Sequence, residues 1–340
     1  MMKSFFTKTQ IIDFLKKNYS INASSIKEID RGNATLYNIN KNKYVLKIFQ
    51  EKYKKEDILK EVKIIELLKE NNIPVPEYVK NNNDNYYTLF NDRVAILQKF
   101  ILGYEIDKNT GDIDMLLDSA RVLGKIVRTL NNNKNRIELP DNNIDSWYSD
   151  NTINESIVKH QDLLKIAKEQ NKSDIVQDLS YKIEMLKNVK KEFSLDELSN
   201  LTCLNTHGDY NVLQCIYGDD NKIKAVLDFA SACKMPIAWE IIRSYSYLDK
   251  NAANGCIDID NLKAYVSEFI KYQELTKYDL RYMSLLYFIQ ILTSTYGYRQ
   301  FLNDESEIDM FKFAKFRTNM CKFLYQNMDK ISKEIENIKK

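Results

Sequence analysis

Glycine and proline are scarce, at 8 and 4 in 340 residues. This excludes a collagen-like repeat or a low-complexity linker protein, and it favours helices over chains of tight turns. Histidine occurs only at 160 and 207, which rules out a multi-histidine metal site. Five cysteines, an odd number with no CxxC pair, argue against a disulfide framework and against a zinc ribbon. An excess of one charge is also missing. Lys+Arg 50 against Asp+Glu 48 leaves +2, so no global field gathers nucleic acid or an anionic membrane. The longest uncharged run, residues 282–298, contains Ser284, Gln290, Thr293, Ser294, Thr295 and Gly297 and is too short and polar for a membrane span. The opening MMKSFFTKTQ has no long apolar stretch after its lysine and does not read as a signal peptide. Together with reduced cysteines this points to the cytoplasm. Nothing in the pattern fixes an oligomeric state.

The remaining composition is that of a folded protein. At 44% hydrophobic and 29% charged the chain can bury a substantial core, and its length suits one large domain or two lobes. Residues 7–19 read as a helix with Ile11, Ile12, Phe14 and Leu15 on its apolar side. From Ile26 to Phe49 the period changes to two, which predicts strands broken at Arg31-Gly32-Asn33 and Asn40-Lys41-Asn42. Residues 56–70 are helical, with Ile58, Val62 and Ile65 in a stripe. Ile73-Pro74-Val75-Pro76 must be extended, because proline restricts itself and the residue before it. Two more strand-like runs follow, 86–90 and 93–100. After Gly103 the texture becomes helical, over 112–130, 151–170, 173–192, 259–272, 277–302 and 305–338. One hairpin interrupts it, with strands CIY and KIKAVLDF around a turn at Gly218-Asp219-Asp220-Asn221. The domain expectation is therefore 1–102 as a small sheet lobe and 103–340 as a helical lobe.

Two places can carry chemistry. Lys47 shares a strand face with Val45 and Phe49, and Glu61 lies at the edge of the next helix's apolar stripe. If both face one small core they form an ion pair that presents an ammonium to phosphate oxygens. In the second place, His207-Gly208-Asp209 feeds a strand and holds a carboxylate on a tight loop, suited to orienting a hydroxyl or accepting its proton. Asp228 closes the return strand, so the hairpin is expected to make Asp209 and Asp228 neighbours. Such carboxylates either repel or share a divalent cation. His160 lies in a charged helical stretch and reads as solvated. Arg243 reads as the partner of an acid. Tyr296, Tyr298 and Arg299 are candidates to face an acceptor, and the cysteines read as small buried hydrophobes.

Lys47, Glu61, the IPVP segment, His207-Gly208-Asp209 and Val226-Leu227-Asp228-Phe229 resemble, in order and spacing, the aminoglycoside phosphotransferase/choline kinase-like family, over roughly residues 25–300. The resemblance implies an α+β, two-lobed protein-kinase-like fold with a small antiparallel-sheet N-lobe and a large helical C-lobe. It implies transfer of the γ-phosphoryl group from ATP or GTP, with Mg²⁺, to a hydroxyl of a small molecule, for example an aminoglycoside. By that resemblance Gly32 and Asn33 lie in a phosphate-covering loop. Lys47, held by Glu61, contacts the α/β-phosphates, and the backbone of Gln98, Lys99, Phe100 and Ile101 bonds adenine. Asp209 is the catalytic aspartate and Asp228 a magnesium ligand, while His207 and Glu240 brace the catalytic loop.

Three positions depart from the family pattern. Gln214 stands where the family has the asparagine five residues after the catalytic aspartate, which puts a magnesium-ligating oxygen one methylene further out. The phosphate loop has one glycine where relatives often have two. Glu240, rather than an aspartate, follows Pro236. These departures keep open an alternative, a catalytically weak kinase-like binding or spore-coat-type protein.

Overall fold

The computed structural model describes residues 6–29, 34–132 and 137–338. The expected phosphate-loop residues Arg31, Gly32 and Asn33 lie outside the described residues. In chain order the first elements are α1 (Lys8–Tyr19), β1 (Ile26–Ile29), β2 (Thr35–Ile39), β3 (Tyr44–Ile48), α2 (Lys55–Glu70), β4 (Tyr78–Val79), β5 (Tyr87–Phe90) and β6 (Arg93–Lys99). Then come α3 (Ile113–Leu130), α4 (Asp145–Tyr148), α5 (Asp150–Glu169), α6 (Ser173–Glu192), β7 (Cys203–Thr206), β8 (Cys215–Tyr217), β9 (Ile223–Val226) and β10 (Cys233–Pro236). The last are α7 (Ile237–Leu248), α8 (Ile259–Phe269), α9 (Lys277–Leu292), α10 (Tyr298–Asn303) and α11 (Ile308–Glu336). The described residues fall into two compact units, one drawn from the ranges 1–105, 129–137 and 214–232, the other from 106–128, 138–213 and 233–340.

The first unit is built on an antiparallel sheet ordered β1-β2-β3-β6-β4, with β5 also paired to β6. Helix α1 starts at a capping box: Thr7 Oγ1 accepts from Gln10 N at 3.2 Å, and Gln10 Oε1 accepts from Thr7 N at 2.8 Å. Its Ile11, Phe14 and Leu15 pack with Tyr37, Leu46 and Leu97 of the sheet in one apolar cluster. Helix α2 buries Ile58, Val62, Ile65 and Leu68, with Glu61 among them. It gives way to a turn in which Asn72 takes φ +56°, a conformation asparagine tolerates.

The hairpin β8–β9 belongs to this same unit, which supplies the packing reason that the sequence withheld. Tyr217 N donates to Tyr104 O at 2.9 Å and Tyr104 N to Tyr217 O at 2.8 Å. Val226 N donates to the carbonyl of Pro74 at 2.9 Å. Gly103 permits this approach, because a Cβ there would sit 2.4 Å from Tyr217 O.

The second unit is helical around one small pairing that the sequence did not suggest, antiparallel β7 and β10, with Thr206 opposite Cys233. Helix α7 was also not anticipated. Every residue of it except Arg243 is buried, including Glu240, Ser244 and Tyr247 of its more polar face. The single helix expected over 277–302 is two: α9 stops at Leu292, and Gly297 at φ +97° opens α10. A Cβ at Gly297 would lie 2.7 Å from Met310 O.

Three further readings are corrected. His160 is fully buried, not solvated, and its Nδ1 lies 2.7 Å from Ser156 O. Tyr298 is a core residue whose hydroxyl donates to buried Asp178 at 2.6 Å. Of the cysteines, 215, 233 and 321 are buried but Cys203 is exposed. Among the described residues no helix is long and apolar enough to cross a membrane.

Candidate active site

The register of β3 between β2 and β6 sets Lys47 opposite Leu36 and Ile96. Its Nζ lies 3.9 Å from Glu61 Oε1, 4.0 Å from Asp228 Oδ1 and 4.6 Å above the Phe49 ring. The two carboxylates differ in setting. Glu61 is 3% exposed, whereas the Asp228 side chain is 50% exposed. Tyr78 hydroxyl donates to Glu61 Oε1 at 3.0 Å, and Glu61 Oε2 is buried with no hydrogen-bond partner among the described residues. Burial, and then the Glu61 charge, hold the Tyr78 phenol well above its ordinary pKa, so it stays a donor. Glu61 is thus an internal anchor for the lysine, and Asp228 is the carboxylate that solvent and solutes reach.

Asp228 owes its exposure to its backbone. At φ +61°, ψ +66° it leaves β9 and opens a short turn, Phe229–Ser231. Aspartate is one of the few residues with a side chain that visits this region, and strained carboxylates of this kind cluster at functional positions. At the base of the same hairpin Gln214 O accepts from Leu227 N at 2.8 Å, which brings residue 214 beside the strand that delivers Asp228. Among the described residues no group of three or more His, Cys, Asp or Glu is placed to hold a metal.

The expected adenine segment sits at the end of β6. Gln98 pairs with Val45 and Tyr78 inside the sheet. Lys99 N donates to Glu77 O at 2.8 Å and Phe100 N to Lys43 O at 2.9 Å. Both amides are engaged internally, so a nucleotide base would have to use carbonyls here or the backbone from Ile101 onward.

In the second unit the HGD turn is held from several sides. Gly208 takes φ +79°. His207 is fully buried, and its Nδ1 accepts from Asp209 N at 3.3 Å. Glu240, fully buried on α7, accepts from Tyr210 N at 2.9 Å through Oε1 and from the Thr206 hydroxyl through Oε2. It thereby ties the strand before the turn to the residue after it. Asn211 donates to Asp209 O at 2.7 Å while its own Oδ1 accepts from Leu213 N at 3.0 Å, so this asparagine belongs to the loop's internal bonding. The Asp209 carboxylate receives Arg243 Nη2 at 2.6 Å and keeps 36% exposure. Arg243 therefore pairs with an acid, as its sequence context suggested. Sequence reading missed Tyr78 and Thr206, since a tyrosine in a two-residue strand and a threonine before HGD carry no pattern of their own.

The chain matches the family model described as "Phosphotransferase enzyme family" over residues 25–265. Solved structures share its fold at low identity. The spectinomycin phosphotransferase APH(9)-Ia, solved with ADP and spectinomycin, is 16% identical, with a TM-score of 0.64 over 95% of this chain and 98% of that one. An aminoglycoside phosphotransferase from Alicyclobacillus acidocaldarius is 12% identical, with a TM-score of 0.61 over 97% and 98%. A microcompartment-associated aminopropanol kinase is 13% identical, with a TM-score of 0.59 over 96% and 99%. No curated protein matches the chain.

Proposed function

The chain belongs to the phosphotransferase enzyme family, a family of small-molecule kinases, and from that premise we propose that it moves the γ-phosphoryl group of ATP or GTP to a hydroxyl of a small molecule. The observation that carries this reading is Lys47, whose ammonium stands between the buried anchor Glu61 and the exposed carboxylate of Asp228. An ammonium fixed this way suits α/β-phosphate oxygens, and Ile101 with its preceding carbonyls suits an adenine edge. Nucleotide complexes of similar structures, with ADP and with AMP-PNP, support the donor class.

Magnesium fits the residues present. Magnesium is ordinarily held by one or two carboxylates plus phosphate oxygens and water, so one exposed aspartate with Gln214 nearby is a sufficient protein share. Asp228 and Gln214 would hold the ion, which when bound neutralises phosphate charge. The amicoumacin kinase structure with AMP-PNP and Ca²⁺ supports a divalent cation in this fold. Asp209 is the residue to orient the acceptor hydroxyl and take its proton, on a loop whose geometry Glu240 and His207 fix. A nucleoside triphosphate donor supports a cytoplasmic location. Spectinomycin and aminopropanol, the molecules named for two similar proteins, make aminoglycosides and amino alcohols the first acceptors to try.

The test is phosphoryl transfer by wild type and Asp209→Asn across a panel of aminoglycosides, amino alcohols and sugars. Asp209→Asn is expected to lose at least about a hundredfold in kcat, the scale of a general-base contribution. Full activity in that variant would sink the assignment. Gln214, in place of the family's asparagine, favours the second reading, a catalytically weak binding or coat-type protein. Absence of thermal stabilisation by ATP, GTP or magnesium would select it.

A further inference from the structure

Three cations gather beside Asp209 in the second unit with few acids to balance them. Lys108 Nζ lies 3.9 Å from the centre of the Phe313 ring and 4.6 Å from that of Tyr247. Arg243 Cζ lies 4.9 Å from the Tyr247 ring, and Arg317 Cζ 5.5 Å from the Phe313 ring. The two rings touch, with centres 5.8 Å apart, so all three cations are assembled on one aromatic pair. Arg243 meets Asp209. Neither Lys108 nor Arg317 has a carboxylate within ion-pair distance among the described residues. Arg317 is 6% exposed and uses neutral partners, donating to Ser294 Oγ at 2.9 Å and to Gln290 Oε1 at 3.4 Å. Arg243 Nη1 and Arg317 Nε are buried donors with no acceptor among the described residues.

The local count is therefore three positive groups against one carboxylate. Burying cations without anions is costly, and folds keep such arrangements where a ligand supplies the missing charge. Burial, and then the charges of Arg243 and Arg317, pull the Lys108 pKa down to about 8, which is the strain that an incoming anion would relieve. The rings do not provide a vacant cage for an amine, because Lys108 already covers both of them.

We infer that this aromatic-seated group of Lys108, Arg243 and Arg317 binds a carboxylate on the acceptor, so that the molecule phosphorylated is a hydroxy acid and not a polycationic amine. The inference rests on the phosphotransferase reading and narrows its acceptor class. Lys108, half-buried at the edge of the group, contributes most of the selection, since Arg243 is already engaged with Asp209.

The experiment uses three ligands that share a hydroxyl-bearing ring and differ in charge: glucuronate, glucose and glucosamine. Their binding to the full chain is measured by calorimetry with AMP-PNP and magnesium present, and again without nucleotide. Glucuronate is expected to bind at least about tenfold more tightly than glucose, and glucosamine more weakly than either. Lys108→Met, at a position that is not fully buried, is expected to remove most of the glucuronate preference. Equal affinities, a preference for glucosamine, or no binding of glucuronate overturns the inference, and the wild-type series decides this even if the variant does not fold. A glucuronate preference that survives while no nucleotide binds would sink the kinase reading alone. Nucleotide binding without that preference would sink the anion site alone.

Discussion

Arg243 on α7 meets Asp209 on the HGD turn at 2.6 Å, so the carboxylate proposed to face the acceptor is itself held by a partly buried cation. The guanidinium fixes one carboxylate oxygen, Oδ1. Arg243→Gln keeps a hydrogen-bond donor but loses the charge and the fork. The expected result is a fall in kcat of about ten- to a hundredfold, with the nucleotide KM moving far less, and partial recovery in Arg243→Lys. Steady-state kinetics on the true acceptor checks this. Equal losses in Lys and Gln variants, or no loss in either, would show that the pair does not position Asp209.

Glu61 separates stability from binding. It is a buried carboxylate with one oxygen that has no partner among the described residues, and Tyr78 and Lys47 are its neighbours. Glu61→Gln keeps the acceptor for Tyr78 and leaves Lys47 with Asp228 as a partner, so the melting temperature should change little. Lys47 loses its anchor, and nucleotide affinity should drop about tenfold. Thermal melts with and without ATP and magnesium read both effects. A variant that loses stability and keeps its nucleotide response would contradict the anchoring role.

Glu240 ties two sides of the HGD turn together, through Thr206 and Tyr210 N. Glu240→Ala leaves that buried amide without this acceptor, at a cost of about 1–3 kcal/mol, and loosens the loop. Glu240→Gln retains a carbonyl for Tyr210 N and should keep most stability and activity. Denaturant titration and transfer assays compare the two. An alanine variant as stable and as active as wild type would remove Glu240 from the scaffold of the site.

His160 sets a pH limit on stability. Its ordinary pKa of 6.5 is pulled down to about 3, by burial first and by the nearby Lys182 charge second. Below pH 6.5 the unfolded chain takes up a proton that the folded chain refuses until about pH 3, so stability falls as pH drops through that window. The slope is about 1.4 kcal/mol per pH unit at most. His160→Phe should show a shallower loss between pH 6.5 and 4 even if its stability at neutral pH is lower. Parallel acid titrations of the two proteins would argue that His160 carries none of the slope.

The parts of this protein that sequence alone disclosed are those whose signal is local. Strands β1 to β3 and helix α2 follow from period and turn residues within a few positions. HGD and LDF are contiguous chemistry, which is why Asp209 and Asp228 stood out before any coordinates. Helix α7 escaped because its polar residues Glu240 and Arg243 read as isolated chemistry in an apolar run rather than as one face of a helix, and His160 misled because its charged neighbours along the chain are not its neighbours in space.

Tertiary structure alone decided which unit claims the hairpin. The bonds from Tyr217 to Tyr104 and from Val226 to Pro74 place it with the sheet, although most of the chain around it is helical. It likewise decided the charge beside Asp209, where Lys108, Arg243 and Arg317 meet on the rings of Tyr247 and Phe313. A sequence fixes what each segment prefers, because those forces act over a few residues. Which cations share an aromatic surface depends on packing between segments far apart in the chain, and only the folded molecule brings that about.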